Sequence, residues 1–467
     1  MTDTNTDTAG GMTLIAGCGV SGRAAARLAA RLGIPFALLD EQDNESLRAF
    51  AASLPKQPEA VYFGFRAQDA LPRFERTVLS PGFRAGNPVR AKLAEVSGRL
   101  VGELEFALES CGKPFVGITG TNGKTTTTEL TAELFRAAGV RACACGNNGY
   151  AMSDAAIDCL DGKLDLPVVE ISSFQLELMP VPHPAAAAVL NLASDHIDRH
   201  GSMEAYAAAK FKLLGDPAAV CVVNSLILDR FKPAAEQKFY TFSANMPADF
   251  SVRNGELTFR GRAIVPIDKL ALKGVHNLEN ALAALALLTA VQGENAVFET
   301  AVTDALAKFE SGPHRLERFL VADGVQYIND SKATNPHAVN AALAAVGGDH
   351  NVVILLGGLD KDMDFAELAP SLKRLKHAVV FGSCGQKIAA YLEKNAVPIS
   401  MCATFPEAVE KAVAAASSGD VVLLSPATAS MDMFRDYRDR GDQFKTLCRK
   451  FAAPDSRGME QNANPRV

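Results

Sequence analysis

The stretch PFVGITGTNGKTTTTEL, residues 114–130, decides the fold. Its apolar run Phe115–Ile118 predicts a buried strand, and Thr119, Gly120, Thr121, Asn122 and Gly123 predict a tight turn. Lys124 and Thr125 then open a segment whose apolar positions, Leu130, Leu134 and Phe135, suit a helix. Strand, glycine turn, helix is a phosphate-binding arrangement. Free amides and the macrodipole at the helix start favour an anion, glycines let the backbone approach it, and a lysine adds a positive charge. Thr125 is placed to offer its hydroxyl to a magnesium ion. A strict G-x-x-x-x-G-K pattern needs glycine at the position of Ile118, whereas Gly117 lies one residue earlier. The plainer alternative is a surface turn, but GKT at a strand-to-helix junction favours a nucleotide phosphate site.

Working outward, 467 residues suggest roughly two to four domains. A hydrophobic content of 48% is ample for packed cores, and a net charge of -6 supplies no basic field for nucleic acid. Nine cysteines are spread along the chain, with only Cys143 and Cys145 close together and no paired C-x-x-C spacing. Reduced thiols in a cytoplasmic protein are the expectation. The polar start MTDTNTDTAGG and the lack of a membrane-length apolar run argue against export and insertion.

Residues 12–40 repeat the strand–turn–helix theme. The strand Met12–Ala16 leads into Gly17, Cys18, Gly19, Val20, Ser21 and Gly22, a helix follows, and a second strand, Phe36–Leu39, ends at Asp40. Alone, this is a dinucleotide fingerprint with Asp40 placed to accept a ribose hydroxyl, so an NAD-dependent dehydrogenase is a rival reading. The run Thr77–Leu79 delivers a loop containing Ser80 and Gly82, and residues 98–113 read as a helix and linker. In the next unit, Glu170 lies inside the apolar run PVVEISS, where an unpaired carboxylate is costly and a magnesium ion held with Thr125 would relieve it. Solvation at a strand end is the alternative.

His196 follows a strand, beside Asp195 and Asp198. The helix expected over 203–214 carries Lys210 and Lys212, which its pattern leaves solvated. Alternation around Asn254-Gly255 predicts a hairpin, and a long apolar helix after Gly274 bears His276, Asn277 and Asn280 in its first turn. From Ser311 onward, strands at Val325–Ile328, Val352–Leu356, Ala378–Phe381 and Val421–Leu424 alternate with helical stretches and end in polar loops. The tail after Ala452 is expected to be disordered.

A diphosphate cradle followed by a triphosphate cradle suits an ATP-driven ligase better than a dehydrogenase. TGTNGKTT, EISSFQLE, NLASDHIDRHGSMEAYAAAKFKLL, GVHNLENALAALA, GPHRLERF, YINDSKATNPHA, LLGGLDKDMDF and LLSPATASMDMFRDY together closely resemble the Mur ligases of peptidoglycan synthesis. The resemblance spans nearly the whole chain and includes the irregular lysine–glycine spacing. It implies an α/β fold of three domains: a Rossmann-like UDP-binding domain (1–102), a P-loop-type ATPase domain with a parallel sheet (103–311) and a Rossmann-like amino-acid-binding domain (312–467). Within the family it points to the member that adds D-glutamate to UDP-N-acetylmuramoyl-L-alanine, a cytoplasmic enzyme expected to be monomeric, with ATP and two magnesium ions. Sister Mur ligases, folylpolyglutamate synthase and a non-catalytic nucleotide-binding regulator remain alternatives.

The resemblance also assigns residues. Gly17 to Gly22, Asp40, Ser80 and Gly82 would serve the uridine nucleotide. Gly120, Thr121, Asn122, Gly123, Lys124, Thr125 and Thr126 would cradle the ATP phosphates, with Asn277, Asn280, Arg315 and Asp330 around the rest of that nucleotide. Thr125, Glu170, His196 and a carbamylated Lys210 would hold metal, with Lys124, His196 and Lys210 catalytic. Asn147 and Ser172 align with substrate contacts. Lys332, Thr334, Lys361 and Ser430 correspond to positions around D-glutamate, with Tyr437 standing where the family has phenylalanine.

Overall fold

A computed structural model of the chain describes residues 11–83, 86–147, 149–195, 197–231, 234, 236–360 and 363–452. Three sheets organise it, and their central strands, such as Thr13–Ala16, Val116–Thr119, Ala186–Val189, Val352–Gly357 and Val421–Leu424, are buried throughout, as parallel strands covered by helices are. The first contains β1 (Thr13–Ala16), β2 (Phe36–Asp40), β3 (Ala60–Phe63), β4 (Phe74–Leu79) and β5 (Ser97–Gly102) in the order 3-2-1-4-5, all parallel. Where the sequence suggests a helix from residue 98, the chain instead adds β5 to the edge beside β4, and the helix begins at Glu103. Ser97 and Thr77 pair through their hydroxyls at this edge, a sheet contact that no local pattern encodes.

The second sheet contains β6 (Val116–Thr119), β7 (Ala142–Gly146), β8 (Leu166–Glu170), β9 (Ala186–Val189), β10 (Val220–Asn224), β11 (Phe239–Ser243), β12 (Phe250–Arg253), β13 (Glu256–Phe259) and β14 (Arg262–Pro266). Its order is 14-13-12-11-10-9-6-8-7, parallel from β7 to β12, with the expected Asn254-Gly255 hairpin and a further antiparallel strand at one end. The third sheet contains β15 (Glu317–Ala322), β16 (Val325–Asn329), β17 (Val352–Gly357), β18 (Leu375–Phe381), β19 (Ile399–Met401) and β20 (Val421–Leu424) in the order 15-16-20-17-18-19. Only β15 runs antiparallel there.

The chain divides into two compact units. One comprises the described residues of Met1–Leu192, Glu204–Leu270 and Glu279–Lys308; the other comprises those of Ala193–Met203, Ala271–Leu278 and Phe309–Val467. The first two sheets share a unit because one apolar core joins them. The helix Val20–Leu32 and the helix Glu103–Cys111 both pack on the helix Met152–Leu160, burying Leu28, Ala29, Phe106, Ala107, Met152 and Ala155 together. Arg27 clasps Asp154 through two bonds of 2.8 and 2.7 Å at the rim. Beneath it, buried Glu103 accepts from the Ser153 amide at 2.7 Å. That contact satisfies an orphan donor in a helix whose own N-cap, Ala151, has no side-chain acceptor. Burial raises the Glu103 pKa, and the Ser153 contact opposes the shift.

In the second unit, the loops after β16, β17 and β20 are tied to one fully buried side chain, Arg440, on the helix Tyr437–Phe451. Its guanidinium donates to Ser331 Oγ (3.0 Å), Ser331 O (2.8 Å), Thr428 O (3.2 Å) and, at 3.4 Å, to Gly357 O and Ala429 O. Burial draws the Arg440 pKa down, with Asp432 opposing. The planar fork of five donors matches these acceptors in a way a lysine cannot. Arg440→Met is therefore expected to lower unfolding stability by roughly 2–4 kcal/mol, because several buried carbonyls lose their donor. Denaturant unfolding measures this, and a loss below about 0.5 kcal/mol, the size typical of an inconsequential surface change, would contradict the assignment.

Candidate active site

The candidate phosphate loop follows β6, all four of whose residues are buried. Gly120 to Gly123 turn the chain into the helix Lys124–Ala137, and Gly123 caps that helix at φ +82°, a backbone state that favours glycine. A Cβ there would also lie 2.2 Å from Asn280 Oδ1, so the site needs glycine for space as well. Asn280 Oδ1 accepts from Thr127 Oγ1 at 3.2 Å, which joins the helix carrying Asn280 to the phosphate loop helix. Thr125 and Thr126, in the first turn, are buried.

Asn191, just beyond β9, fixes the loop. Its Oδ1 accepts from the Asn122 amide at 2.9 Å, its Nδ2 donates to Asn122 O at 3.0 Å, and its own carbonyl accepts from the Thr121 amide at 3.1 Å. Thr121 Oγ1 lies 3.2 Å from Tyr206 OH. Lys124 Nζ donates to Gly120 O (2.9 Å) and Thr121 O (2.8 Å). Asn191 and Tyr206 were not singled out by sequence reasoning. Asn191 follows a strand end, while Tyr206 lies inside the helix Met203–Phe211 and carried no local signal.

Lys210 differs from the sequence expectation. It is 1% exposed, its Nζ donates to Gly120 O at 2.8 Å, and it stands 4.4 Å from the Tyr206 ring centroid. Helical patterning leaves it on a polar face, but that face turns towards the phosphate loop rather than solvent. Lys212 is half-buried and donates to Leu176 O at 2.9 Å, so it is not a freely solvated lysine either.

Glu170 ends β8, beside Ile118 of β6, and is 2% exposed. Oε1 accepts from Asn147 Nδ2 at 2.9 Å, while buried Oε2 has no hydrogen-bond partner among the described residues. A buried carboxylate oxygen left this way is expensive unless a cation completes it. A carboxylate oxygen is a hard donor, which fits magnesium. The Asn147 amide also donates to Glu170 O at 2.8 Å. Ser172, two residues on, caps the helix Ser173–Leu178 in a reciprocal box with Gln175. His196 and Lys361 lie outside the described residues.

At the first sheet, Gly17 adopts φ +87°, and a Cβ on Gly22 would fall 1.7 Å from Gly17 O, so this glycine lets the helix press on the turn. Asp40 fastens the turn itself, accepting from the Cys18 amide at 2.7 Å and the Gln42 amide at 2.9 Å. Gly19 and Val20 are exposed at the helix start, Ser21 is half-buried, and Ser80 lies against Gly17. A Cβ on Gly82 would meet nothing within 4 Å.

In the second unit, Asp330 at the end of β16 is buried and accepts from Ser425 Oγ (2.9 Å) and the Leu316 amide (3.2 Å). Burial pushes its pKa up to about 7 against those bonds and the nearby Arg315 charge. Lys332 Nζ stands 4.1 Å over the Tyr437 ring, Thr334 is half-buried, and Ser430 is buried where the Met433 and Phe434 amides bond its carbonyl. Asn277 donates to Lys273 O at 2.9 Å. Leu359 and Ala429 form a bridge, so the loops after β17 and β20 meet at neighbouring strand ends. Ligands collect at such positions in parallel sheets. Most of the predicted residues thus lie at strand ends, some in each of the three sheets.

Residues 118–288 match the Mur ligase middle domain, and residues 314–428 match the Mur ligase glutamate ligase domain. The UDP-N-acetylmuramoylalanine--D-glutamate ligase of Frankia casuarinae is 38% identical, with 94% of both chains covered. That of Hahella chejuensis is 37% identical over 93% of this chain and 97% of its own. Among solved structures, the UDP-N-acetylmuramate-alanine ligase of Thermotoga maritima is similar at a TM-score of 0.61 and 19% identity, covering 94% of this chain and 99% of its own. The ADP complex of MurF ligase from Thermotoga maritima is similar at a TM-score of 0.56 and 17% identity, covering 83% and 96%. With its central and C-terminal segments matched and its relatives aligned over more than nine-tenths of its length, the chain belongs to the Mur ligase family.

Proposed function

We propose that this chain is an ATP-dependent ligase that joins D-glutamate to UDP-N-acetylmuramoyl-L-alanine in the synthesis of peptidoglycan precursors. The observation that carries this reading is near-full-length similarity to ligases bearing that activity, in a chain whose phosphate loop stands beside a buried, incompletely partnered glutamate. We assign residues 1–102 to a Rossmann-like UDP-binding domain, 103–311 to a P-loop-type ATPase domain and 312–467 to a Rossmann-like domain for the amino acid. The parallel sheets and their glycine turns support these assignments. The enzyme acts in the cytoplasm as a monomer; among the described residues no helix is long and apolar enough to cross a membrane.

The turn Gly17 to Gly22, Asp40, Ser80 and Gly82 receive the uridine diphosphate, and Asn147 and Ser172 the remainder of that substrate. Loop amides from Gly120 to Thr126 bind the ATP phosphates, Lys124 offsets their charge, and Asn277, Asn280, Arg315 and Asp330 hold the rest of the nucleotide. The L-alanyl carboxylate takes the γ-phosphoryl group, and the D-glutamate amine attacks the resulting acyl phosphate at carbon. Phosphate then leaves, and an amide remains. Lys332, Thr334, Lys361 and Ser430 bind the two carboxylates of D-glutamate, with Tyr437 alongside, so that the amine is aimed at the acyl carbon.

Thr125, Glu170, His196 and Lys210 would hold two magnesium ions. The metal supplies charge neutralisation of the transferring phosphoryl group. For Lys210 the productive form is the carbamate: an ammonium repels a cation, whereas a carbamate presents oxygens to it. Its burial beside Gly120 supports that role.

Phosphate release with ATP, magnesium and UDP-N-acetylmuramoyl-L-alanine is expected with D-glutamate and not with L-glutamate, L-alanine or diaminopimelate; turnover with one of the others in its place would reassign the third-domain residues. Carbon-13 NMR after equilibration with labelled bicarbonate is expected to give one carbamate resonance that Lys210→Arg abolishes. A wild-type spectrum with no such resonance would remove the modification from the account.

A further inference from the structure

Glu279 lies in the helix Val275–Gln292, one residue before Asn280, and the ligase chemistry leaves it without a role. It is half-buried, and three groups of the second sheet turn hydrogens towards it. Oε1 accepts from the Ala244 amide at 2.8 Å and from Ser243 Oγ at 3.2 Å, and Oε2 accepts from Asn224 Nδ2 at 3.0 Å. Asn224 ends β10 and Ser243 ends β11, its paired neighbour. One carboxylate thus ties the helix to two adjacent strand ends.

The polarity of this cluster is fixed from outside it. Asn224 Oδ1 is committed to the Leu226 amide at 2.9 Å, where it caps the short helix Ser225–Arg230, so its Nδ2 must face Glu279. Ser243 Oγ accepts from the Asn245 and Met246 amides, each at 3.2 Å, which leaves its one hydrogen for Glu279. The Ala244 amide can only donate. Three donors and no acceptor suit an ionised carboxylate, and bonds of this charged kind are the stronger ones. Burial raises the Glu279 pKa, and the three bonds oppose the rise. A glutamine of the same shape would turn its own amide hydrogens on one of these donors.

Asn280 stands about 100° further round the helix and meets the candidate phosphate loop instead. Its Oδ1 accepts from Thr127 Oγ1 at 3.2 Å, and a Cβ on Gly123 would fall 2.2 Å from that oxygen. All these residues belong to one compact unit. The helix is therefore held by two strand ends through Glu279 and bears on the loop through Asn280. We propose that Glu279 is a positioning residue for nucleotide binding, its carboxylate setting where Asn280 stands against Gly123 and hence the affinity for ATP. This rests on the reading of Gly120 to Thr126 and Asn280 as the ATP site. Glu279 acts through the helix rather than on the ligand. Because the contact at Gly123 leaves no room even for a methyl group, a shift of the helix is felt directly by the loop.

Calorimetric titration of the full-length protein with magnesium ATP tests this. Glu279→Gln is expected to weaken binding roughly tenfold, the size of one lost charged hydrogen bond, with the number of sites unchanged. In steady state the KM for ATP is expected to rise while kcat and the KM for D-glutamate hold. Asn224→Asp sets a second carboxylate against Glu279 and is expected to weaken ATP binding as well. Combined with Glu279→Gln it gives the glutamine amide an acceptor, and the double variant is expected to bind within about twofold of the wild type. Such rescue separates positioning from a general loss of packing, which two substitutions would worsen. Ser243→Ala removes one donor and is expected to weaken ATP about two- to threefold, so the test stands even where Glu279→Gln does not fold. Unchanged affinity in Glu279→Gln or Ser243→Ala, a loss of sites at unchanged affinity, or a double variant no tighter than the weaker single one would overturn the proposal. A wild-type protein that does not bind ATP would strike the ATP-site reading, and the proposal with it.

Discussion

A reciprocal amide pair holds the centre of this molecule. Asn191 gives and takes a hydrogen bond with the backbone of Asn122, and its carbonyl adds a third contact through the Thr121 amide. A loop meant to present amides to an anion cannot satisfy them all within itself, because its donors must point at the ligand site. Anchoring from the next strand solves this. β9 lies beside β6 in the sheet, so its end falls where the loop needs a clamp. The same economy appears on the other flank, where β8 delivers Glu170 beside Ile118 and Asn147 holds one of its oxygens.

Buried charge is the second organising feature. Glu170 and Lys210 are both almost wholly enclosed: Glu170 Oε1 accepts from Asn147 Nδ2, and Lys210 Nζ donates to Gly120 O. Under the proposed function, both would contribute to holding magnesium beside the ATP phosphates. Enclosing charge in this way costs folding free energy, which the proposed chemistry would account for. Arg440 is the contrasting case. Its charge is buried too, but five acceptors surround it, and its work is to hold three strand-end loops in register with one another.

Much of this was legible in the sequence because short-range chemistry dictated it. The strand–turn–helix at residues 114–130, the glycine turn at Gly17 to Gly22 and the Asn254-Gly255 hairpin all carry their geometry in local residue types. β5 was not legible, since Ser97–Gly102 becomes a strand only by pairing with β4. Lys210 was misjudged for the same reason: helical spacing fixes a face, but only the tertiary packing decides what that face meets. Arg440 and Asn191 act through backbone carbonyls and amides distant in sequence, and backbone partners leave no residue-type signal. The joining of the first two sheets into one unit likewise depends on contacts between alanine-rich helix faces that look ordinary in isolation.

The chemistry proposed for this chain is phosphorylation of the L-alanyl carboxylate followed by capture of the acyl phosphate by the D-glutamate amine. An oxygen-18 label placed in that carboxylate tests it most directly. Because the acyl phosphate retains one carboxylate oxygen as its bridge and loses it with the phosphate, the inorganic phosphate released during turnover is predicted to carry one labelled oxygen. Unlabelled phosphate accompanying amide formation would contradict the account, since ATP would then have been cleaved without joining the substrate's carboxylate.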